Sequence, residues 1–428
     1  MTWTAQPGRI GGTVSIPASK SHTIRALLIA ALADGHSVVD EPLDSGDARS
    51  CIAACRLLGA ELAEHRDEGG RLHKVDVVGL GGVPQSPENV IDVGNSGTTL
   101  YLALGLAALG EGITVFTGDE QIRRRSADRL LVALNDLGAT AYSTRPGGCA
   151  PIIVQGPLRG GHTTIECPTS QYLSSLLLAC SLAPEPTEIT VPLLYERPYV
   201  EMTIAWLNSQ GVEVDRDGYE RFAVTGGARF QARSRRVPGD FSSATFPACA
   251  AALSGARLEL VGLDMSDSQG DKQVFEILRE MGCTVEVNAA AETVTIEGPP
   301  RGELRGGEFD LNAIPDALPA LSVTACYASE PVTLGNVPQA RLKETDRIAV
   351  MCSELQKQGA KVEELPEGMR VSPSRLQGGP AESHGDHRVA MAMAIGALGA
   401  ESPIVIHNAG VAEITYPGFF EMLESLRL

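Results

Sequence analysis

No pair of cysteines in this 428-residue chain has the C-x-x-C spacing of a zinc site, and only Cys51 and Cys55 of the nine lie close together. With no His-rich tract beside them, a structural metal is not indicated, and a reducing compartment suits the scattered thiols. No uninterrupted apolar run approaches the roughly 18 residues that span a bilayer. The opening MTWTAQPGRIGGTVSIP also lacks a basic stretch followed by an apolar one. A soluble, cytoplasmic protein without a membrane partner is the expectation. Positive charge is scarce as well: 35 Lys and Arg face 53 Asp and Glu, for a formal charge of −18. Nucleic acid is thereby excluded as the main partner, because a polyphosphate surface calls for a basic one. An acidic protein that handles small anions must gather its few cations locally, so each cluster of Lys and Arg becomes informative.

The chain does have apolar material, 43% of its residues, and a length that predicts two domains. One pattern recurs five times: an amphipathic helix, a glycine, then a short alternating strand. Its glycines are Gly59, Gly138, Gly211, Gly282 and Gly359, 71 to 79 residues apart. The glycine supplies the left-handed residue that ends a helix, and the alternation that follows starts a strand with one buried face. Five such units leave an incomplete sixth at the C-terminus. The segment before Ser19 supplies the missing length, so the N-terminal strand is expected to close the last unit. Six units divide into a lobe of residues 19–237 and a discontinuous lobe of residues 1–18 plus 238–428, with a ligand cleft expected between them.

Several segments place cations or small polar residues at the start of apolar helices, where free N–H groups and the helix dipole favour anions. PASKSHTIRALLIAAL carries Lys20, Ser21 and Arg25, and DVGNSGTTLYLALGLAAL opens with Gly94 and Gly97. The latter is no nucleotide phosphate loop, because the lysine that G-x-x-x-x-G-K-[ST] requires is missing. RRR at Arg123–Arg125 precedes another helix, and one of the three is expected to face inward. CPTSQYLSSLLLAC offers Thr169, Ser170 and Gln171. In the second half, AIPDALPAL supplies Asp316, RLKETDRIAVM supplies Lys343, Glu344 and Arg347, and HGDHRVAMAMA supplies Asp386, His387 and Arg388. Lys343 and Arg347 are spaced to share a helix face, with Glu344 beside them as a candidate acid and base. His387 has no second His at ligand spacing and reads as a structural hydrogen-bonder.

KSHTIR, GNSGTT, TSQYL, IPD, LKETDR and GDHRVAMA, in that order and at these intervals, resemble the 5-enolpyruvylshikimate-3-phosphate synthase family of enolpyruvyl transferases, from about residue 9 to the end. The resemblance implies an α/β fold of two lobes, each an inside-out barrel of three βαβαββ-type units, that closes over phosphoenolpyruvate and shikimate 3-phosphate. It implies a monomeric enzyme of the shikimate pathway, hence of aromatic amino acid biosynthesis, and a glyphosate target. Neither metal nor organic cofactor is required. The reaction moves the carboxyvinyl group of phosphoenolpyruvate to the 5-hydroxyl of shikimate 3-phosphate. By motif, Lys20, Gly97, Arg125, Gln171, Arg347 and Arg388 look like the phosphoenolpyruvate site. Ser21, Arg25, Thr169, Ser170, Gln171, Arg197, Asp316, Gln339 and Lys343 look like the acceptor site. Lys20, Asp316 and Glu344 are the acid–base candidates.

The chain departs from the family pattern at four positions. Tyr101 stands where an Arg is usual, Glu196 where a Ser helps to hold the acceptor's phosphate, Gln339 where one branch has Asn, and Ile414 where that branch has a Lys. A carboxylate at 196 repels a phosphate. Either Glu196 turns away and Arg197 takes the anion, or the acceptor is another hydroxylated acid. PGGCA at Cys149 resembles the loop of the sister enzymes that act on UDP-N-acetylglucosamine. Its surroundings read as turn and strand, without the Arg-Pro helix expected there. A non-catalytic anion-binding protein of the same fold is a further alternative, against which Lys20, Asp316 and Glu344 are all retained.

Overall fold

The computed structural model describes residues 1–428. The chain forms two compact units, one of Lys20–Val237 and one of Met1–Ser19 together with Pro238–Leu428. Six small sheets are present, three in each unit. One repeat of the first unit shows the plan. Strand Ile91–Asp92, helix Gly97–Ala107, strand Ile113–Thr117, helix Asp128–Asp136, and strands Thr140–Ser143 and Ile152–Gln155 follow one another. The first two strands pair in parallel, and the last strand inserts antiparallel between the second and the third. The same order recurs from Gly161–Thr164 to Arg221–Val224 and, in the split unit, from Gly307–Asp310 to Gly368–Ser372.

The two helices of each repeat differ in kind, and sequence explains the difference. The first is apolar on every side and buried, as in Gly97–Ala107, Ser170–Leu182, Phe241–Ser254 and His387–Gly396. The second is amphipathic, as in Asp128–Asp136 and Gln273–Glu280, with one face on its sheet and one in water. Helices apolar all round must be enclosed by other elements. In the split unit, Phe241–Ser254, Leu318–Cys326 and His387–Gly396 pack against one another. Each of the five repeat glycines has positive φ, from 77° at Gly211 to 106° at Gly59, the left-handed exit expected of them.

The N-terminal segment divides between two sheets. Trp3–Ala5 pairs antiparallel with Ile404–His407 and closes the last sheet, as the length accounting calls for. Gly12–Ser15 instead leads a different repeat, in parallel with Arg257–Val261. The first repeat also borrows its leading strand: Ser234–Arg236, from the far end of its unit, lies parallel to His36–Asp40. Nothing in the spacing of the glycines announces either exchange. No helix is long and apolar enough to cross a membrane.

Candidate active site

In the Lys20–Val237 unit, Lys20 heads the helix Lys20–Leu32, and its Nζ lies 3.4 Å from Asp47 Oδ2 in the first turn of helix Gly46–Leu57. Arg25, one turn on, is only 1% exposed. Its guanidinium donates to the Ser21 and Tyr199 carbonyls and to the hydroxyls of Thr203 at 2.9 Å and Ser174 at 3.4 Å. Burial with neutral partners lowers the Arg25 pKa to about 10. The residue expected on an acceptor carboxylate thus ties three helices together behind Ser21.

The three arginines of the triplet differ in their surroundings. Arg123 donates to the Gly118 carbonyl, and exposed Arg124 pairs with Glu120. Arg125 lies over Gly97: a Cβ on that glycine would sit 2.6 Å from Arg125 Nη1. Gly97 is the first residue of a helix capped by Ser96, so the absent side chain is what lets the guanidinium approach the helix start. Tyr101, where an Arg is usual, carries no charge to the site. It is buried, and its hydroxyl donates at 3.0 Å to the carbonyl of Ser126, the neighbour of Arg125. Tyr172 donates to the same carbonyl at 2.6 Å, with the two rings edge to face at 5.2 Å. Burial raises the Tyr172 pKa, so it stays a donor. Tyr172 was not singled out from sequence, where it reads as one more apolar helix position.

Glu196 turns inward, contrary to the reading that it turns away. It is 1% exposed, in left-handed conformation with φ 57°, at the head of helix Arg197–Ser209. One carboxylate oxygen accepts from Thr169 Oγ1 at 3.3 Å, Ser170 Oγ at 2.9 Å and the Ser170 N–H at 3.2 Å. Arg197, expected to take the acceptor's anion, is exposed instead, with its guanidinium 4.6 Å from the centre of the Tyr219 ring. Beside the cradle, Gln171 keeps a buried amide oxygen without a hydrogen-bond partner.

In the split unit a charge network surrounds Arg347, which is 1% exposed. Its Nη1 lies 2.6 Å from Asp316 Oδ1, its Nη2 2.5 Å from Glu344 Oε2 and its Nε 2.7 Å from Asp386 Oδ2. Asp316 Oδ2 in turn holds Arg388 Nη2 at 2.8 Å. Burial alone would lower the Arg347 pKa, but the carboxylates of Asp386, Glu344 and Asp316 outweigh it and raise the pKa, so the cation is permanent. Asp386 caps helix His387–Gly396 and accepts from the Arg388 N–H and Thr345. The shared helix face expected for Lys343 and Arg347 does not form. Asp346 caps a helix that begins only at Arg347, its side chain accepting from the Ala349 N–H, and Lys343 is left extended in the preceding loop. Gln339 is buried, donates to the Asn312 carbonyl at 2.9 Å and keeps its own amide oxygen without a partner.

Cys149 follows the turn Pro146–Gly148 and bridges Ser126 in extended conformation, so the turn-and-strand context is found. A cavity of about 770 Å³ in the Lys20–Val237 unit is rimmed by Glu188, Glu213 and Asp215 and contains none of the cations above. Its acidic wall disfavours phosphates.

The sequence profile of EPSP synthase (3-phosphoshikimate 1-carboxyvinyltransferase) matches residues 4–423. The 3-phosphoshikimate 1-carboxyvinyltransferase of Acetivibrio thermocellus is 50% identical over 415 residues, 97% of this chain and 96% of that protein. Its counterpart in Ruminiclostridium cellulolyticum is 47% identical over 420 residues, 98% of this chain and 97% of that protein. Among solved structures, EPSP synthase from Acinetobacter baumannii superposes with a TM-score of 0.83 at 27% identity, covering 100% of this chain and 98% of that one. The enolpyruvyl transferase NikO from Streptomyces tendae shares the fold, with a TM-score of 0.76 at 19% identity over 99% of this chain and 97% of that one. With the profile spanning nearly the whole chain and relatives this close, the protein belongs to the EPSP synthase family.

Proposed function

We propose that this protein transfers the carboxyvinyl group of phosphoenolpyruvate to the 5-hydroxyl of shikimate 3-phosphate and releases phosphate. The observation that carries the reading is the buried Arg347, held charged among Asp316, Glu344 and Asp386 and linked through Asp316 to Arg388. Phosphoenolpyruvate carries a carboxylate and a phosphate on three carbons, and fixed guanidinium groups are suited to that density of charge. In this reading Lys20, Arg125, Gln171, Arg347 and Arg388 bind phosphoenolpyruvate, and Gly97 leaves room for Arg125. Ser21, Thr169, Ser170, Gln339, Lys343 and Asp316 bind the acceptor, with Arg25 holding Ser21 in place. The unpartnered amide oxygens of Gln171 and Gln339 support this, because a buried acceptor is costly unless a ligand donor meets it.

The acceptor oxygen bonds to C2 of phosphoenolpyruvate while C3 gains a proton, giving a tetrahedral intermediate. Loss of a C3 proton and cleavage of the C2–O bond to phosphate restore the double bond in the product. Asp316 accepts the hydroxyl proton in this scheme, and Glu344 and Lys20 serve C3 and the leaving phosphate. The test is phosphate release from phosphoenolpyruvate with shikimate 3-phosphate, unphosphorylated shikimate or UDP-N-acetylglucosamine as acceptor. Release with the first alone is expected; no release with it sinks the assignment.

A further inference from the structure

Thr169 Oγ1, Ser170 Oγ and the Ser170 N–H meet at the first turn of the 13-residue helix Ser170–Leu182. Two hydroxyls, a backbone N–H and a helix dipole form a donor set for one oxyanion. That set is occupied by the chain itself, because Glu196 Oε2 accepts from all three at 2.9–3.3 Å. Glu196 also precedes helix Arg197–Ser209 in left-handed conformation, its side chain directed to Thr169 and Ser170 rather than capping its own helix, and the residue is 1% exposed. The occupation is therefore built into the backbone and is no chance excursion of a surface side chain. Arg197, the cation nearest in sequence, is engaged with Tyr219.

A phosphate and an ionised carboxylate cannot share one such cradle, since like charges in a desolvated site repel by several kcal/mol. We propose that Glu196 is a resident anion of the acceptor-phosphate cradle, that the acceptor binds by displacing it, and that this exchange sets acceptor affinity. The inference rests on the reading that the acceptor is phosphorylated and binds at Thr169 and Ser170. Glu196 lowers affinity for the phosphorylated acceptor below what a neutral side chain would give. It equally keeps free inorganic phosphate, a product of the reaction, from lodging in the empty cradle.

The experiment is calorimetric titration of shikimate 3-phosphate, and separately of unphosphorylated shikimate, into the wild type, Glu196→Ser and Glu196→Gln. Phosphoenolpyruvate turnover is measured on the same preparations. Glu196→Gln keeps the shape and an acceptor oxygen while removing the charge, so it carries the test if Glu196→Ser does not fold. The dissociation constant for shikimate 3-phosphate should tighten by roughly tenfold or more in both variants, a conservative conversion of like-charge repulsion. KM should follow it, kcat should move less, and shikimate affinity should stay nearly constant. Unchanged or weaker binding of shikimate 3-phosphate overturns the proposal, as does equal tightening for shikimate. Absence of phosphate release from every protein would count against the transfer reaction instead, while the dissociation constants still decide the role of Glu196.

Discussion

Replacing Arg347 with Met tests how the split unit holds its charge network. The methionine fills much of the same volume but removes the cation that meets Asp316, Glu344 and Asp386 at 2.5–2.7 Å. Asp386 is fully buried, and the side chains of Glu344 and Asp316 are 10% and 18% exposed, so water cannot replace the guanidinium at all three. Breaking a buried pair by removing one partner costs about 3–5 kcal/mol, because the other charge stays behind. For a unit of roughly 200 residues each kcal/mol lowers Tm by about 2–4 °C, so the expected loss is about 6–20 °C. Arg347→Lys retains the charge but cannot span three carboxylates, and should fall between the two. Adding Asp386→Asn should restore part of the stability, as residues of one network are not additive. Differential scanning calorimetry at pH 8 is the assay. A melting point within a degree of the wild type at pH 8 would refute the reasoning.

Gly97→Ala drives a methyl to 2.6 Å from Arg125 Nη1 and must move that cation, so KM for phosphoenolpyruvate should rise about tenfold or more with little change in melting temperature; steady-state kinetics and a melt check both. Cys149 is the one half-exposed thiol of nine unpaired cysteines, so iodoacetamide should label one site in the native protein, read by mass spectrometry, and Cys149→Ala should keep near-normal turnover. Burial would raise the Glu354 pKa, but Lys357, His384 and the Glu382 N–H outweigh it and hold it low. A depressed folded-state pKa stabilises above the unfolded value of about 4.3 and is lost as pH falls through the folded one. Glu354→Gln should therefore cost roughly 1–3 kcal/mol at pH 7 in urea titrations, with the gap closing below pH 4.

The repeat was legible because a helix-ending glycine leaves a conformational mark that few other residues can satisfy, and all five glycines have the expected positive φ. The exchange of leading strands was not, because Gly12–Ser15 and Ser234–Arg236 are short edge segments whose partners are chosen by packing. Residue types around the site could be read from the motifs, but their directions could not. Arg25 and Arg197 are both cations beside a helix start, yet one is enclosed by hydroxyls and carbonyls and the other lies on an aromatic ring. Charge alone does not distinguish those fates. Sequence identified Glu196 as discordant but left its direction open, and only coordinates reveal that it fills the cradle of Thr169 and Ser170. The helix start in LKETDR was misjudged for a local reason: a capping Asp346 competes with helix continuation, and here capping wins.

The pairing of Trp3–Ala5 with Ile404–His407 also bears on how the molecule is made. Synthesis on the ribosome is vectorial, and the Lys20–Val237 unit has its last strand once Ser234–Arg236 has emerged. The first strands of the split unit are translated earliest, yet Trp3–Ala5 waits for a partner made about 400 residues later. Such pairing is slow to close, and an unpaired apolar edge is open to wrong partners meanwhile. A nascent-chain protease assay would therefore find residues 20–237 protected before Trp3–Ala5.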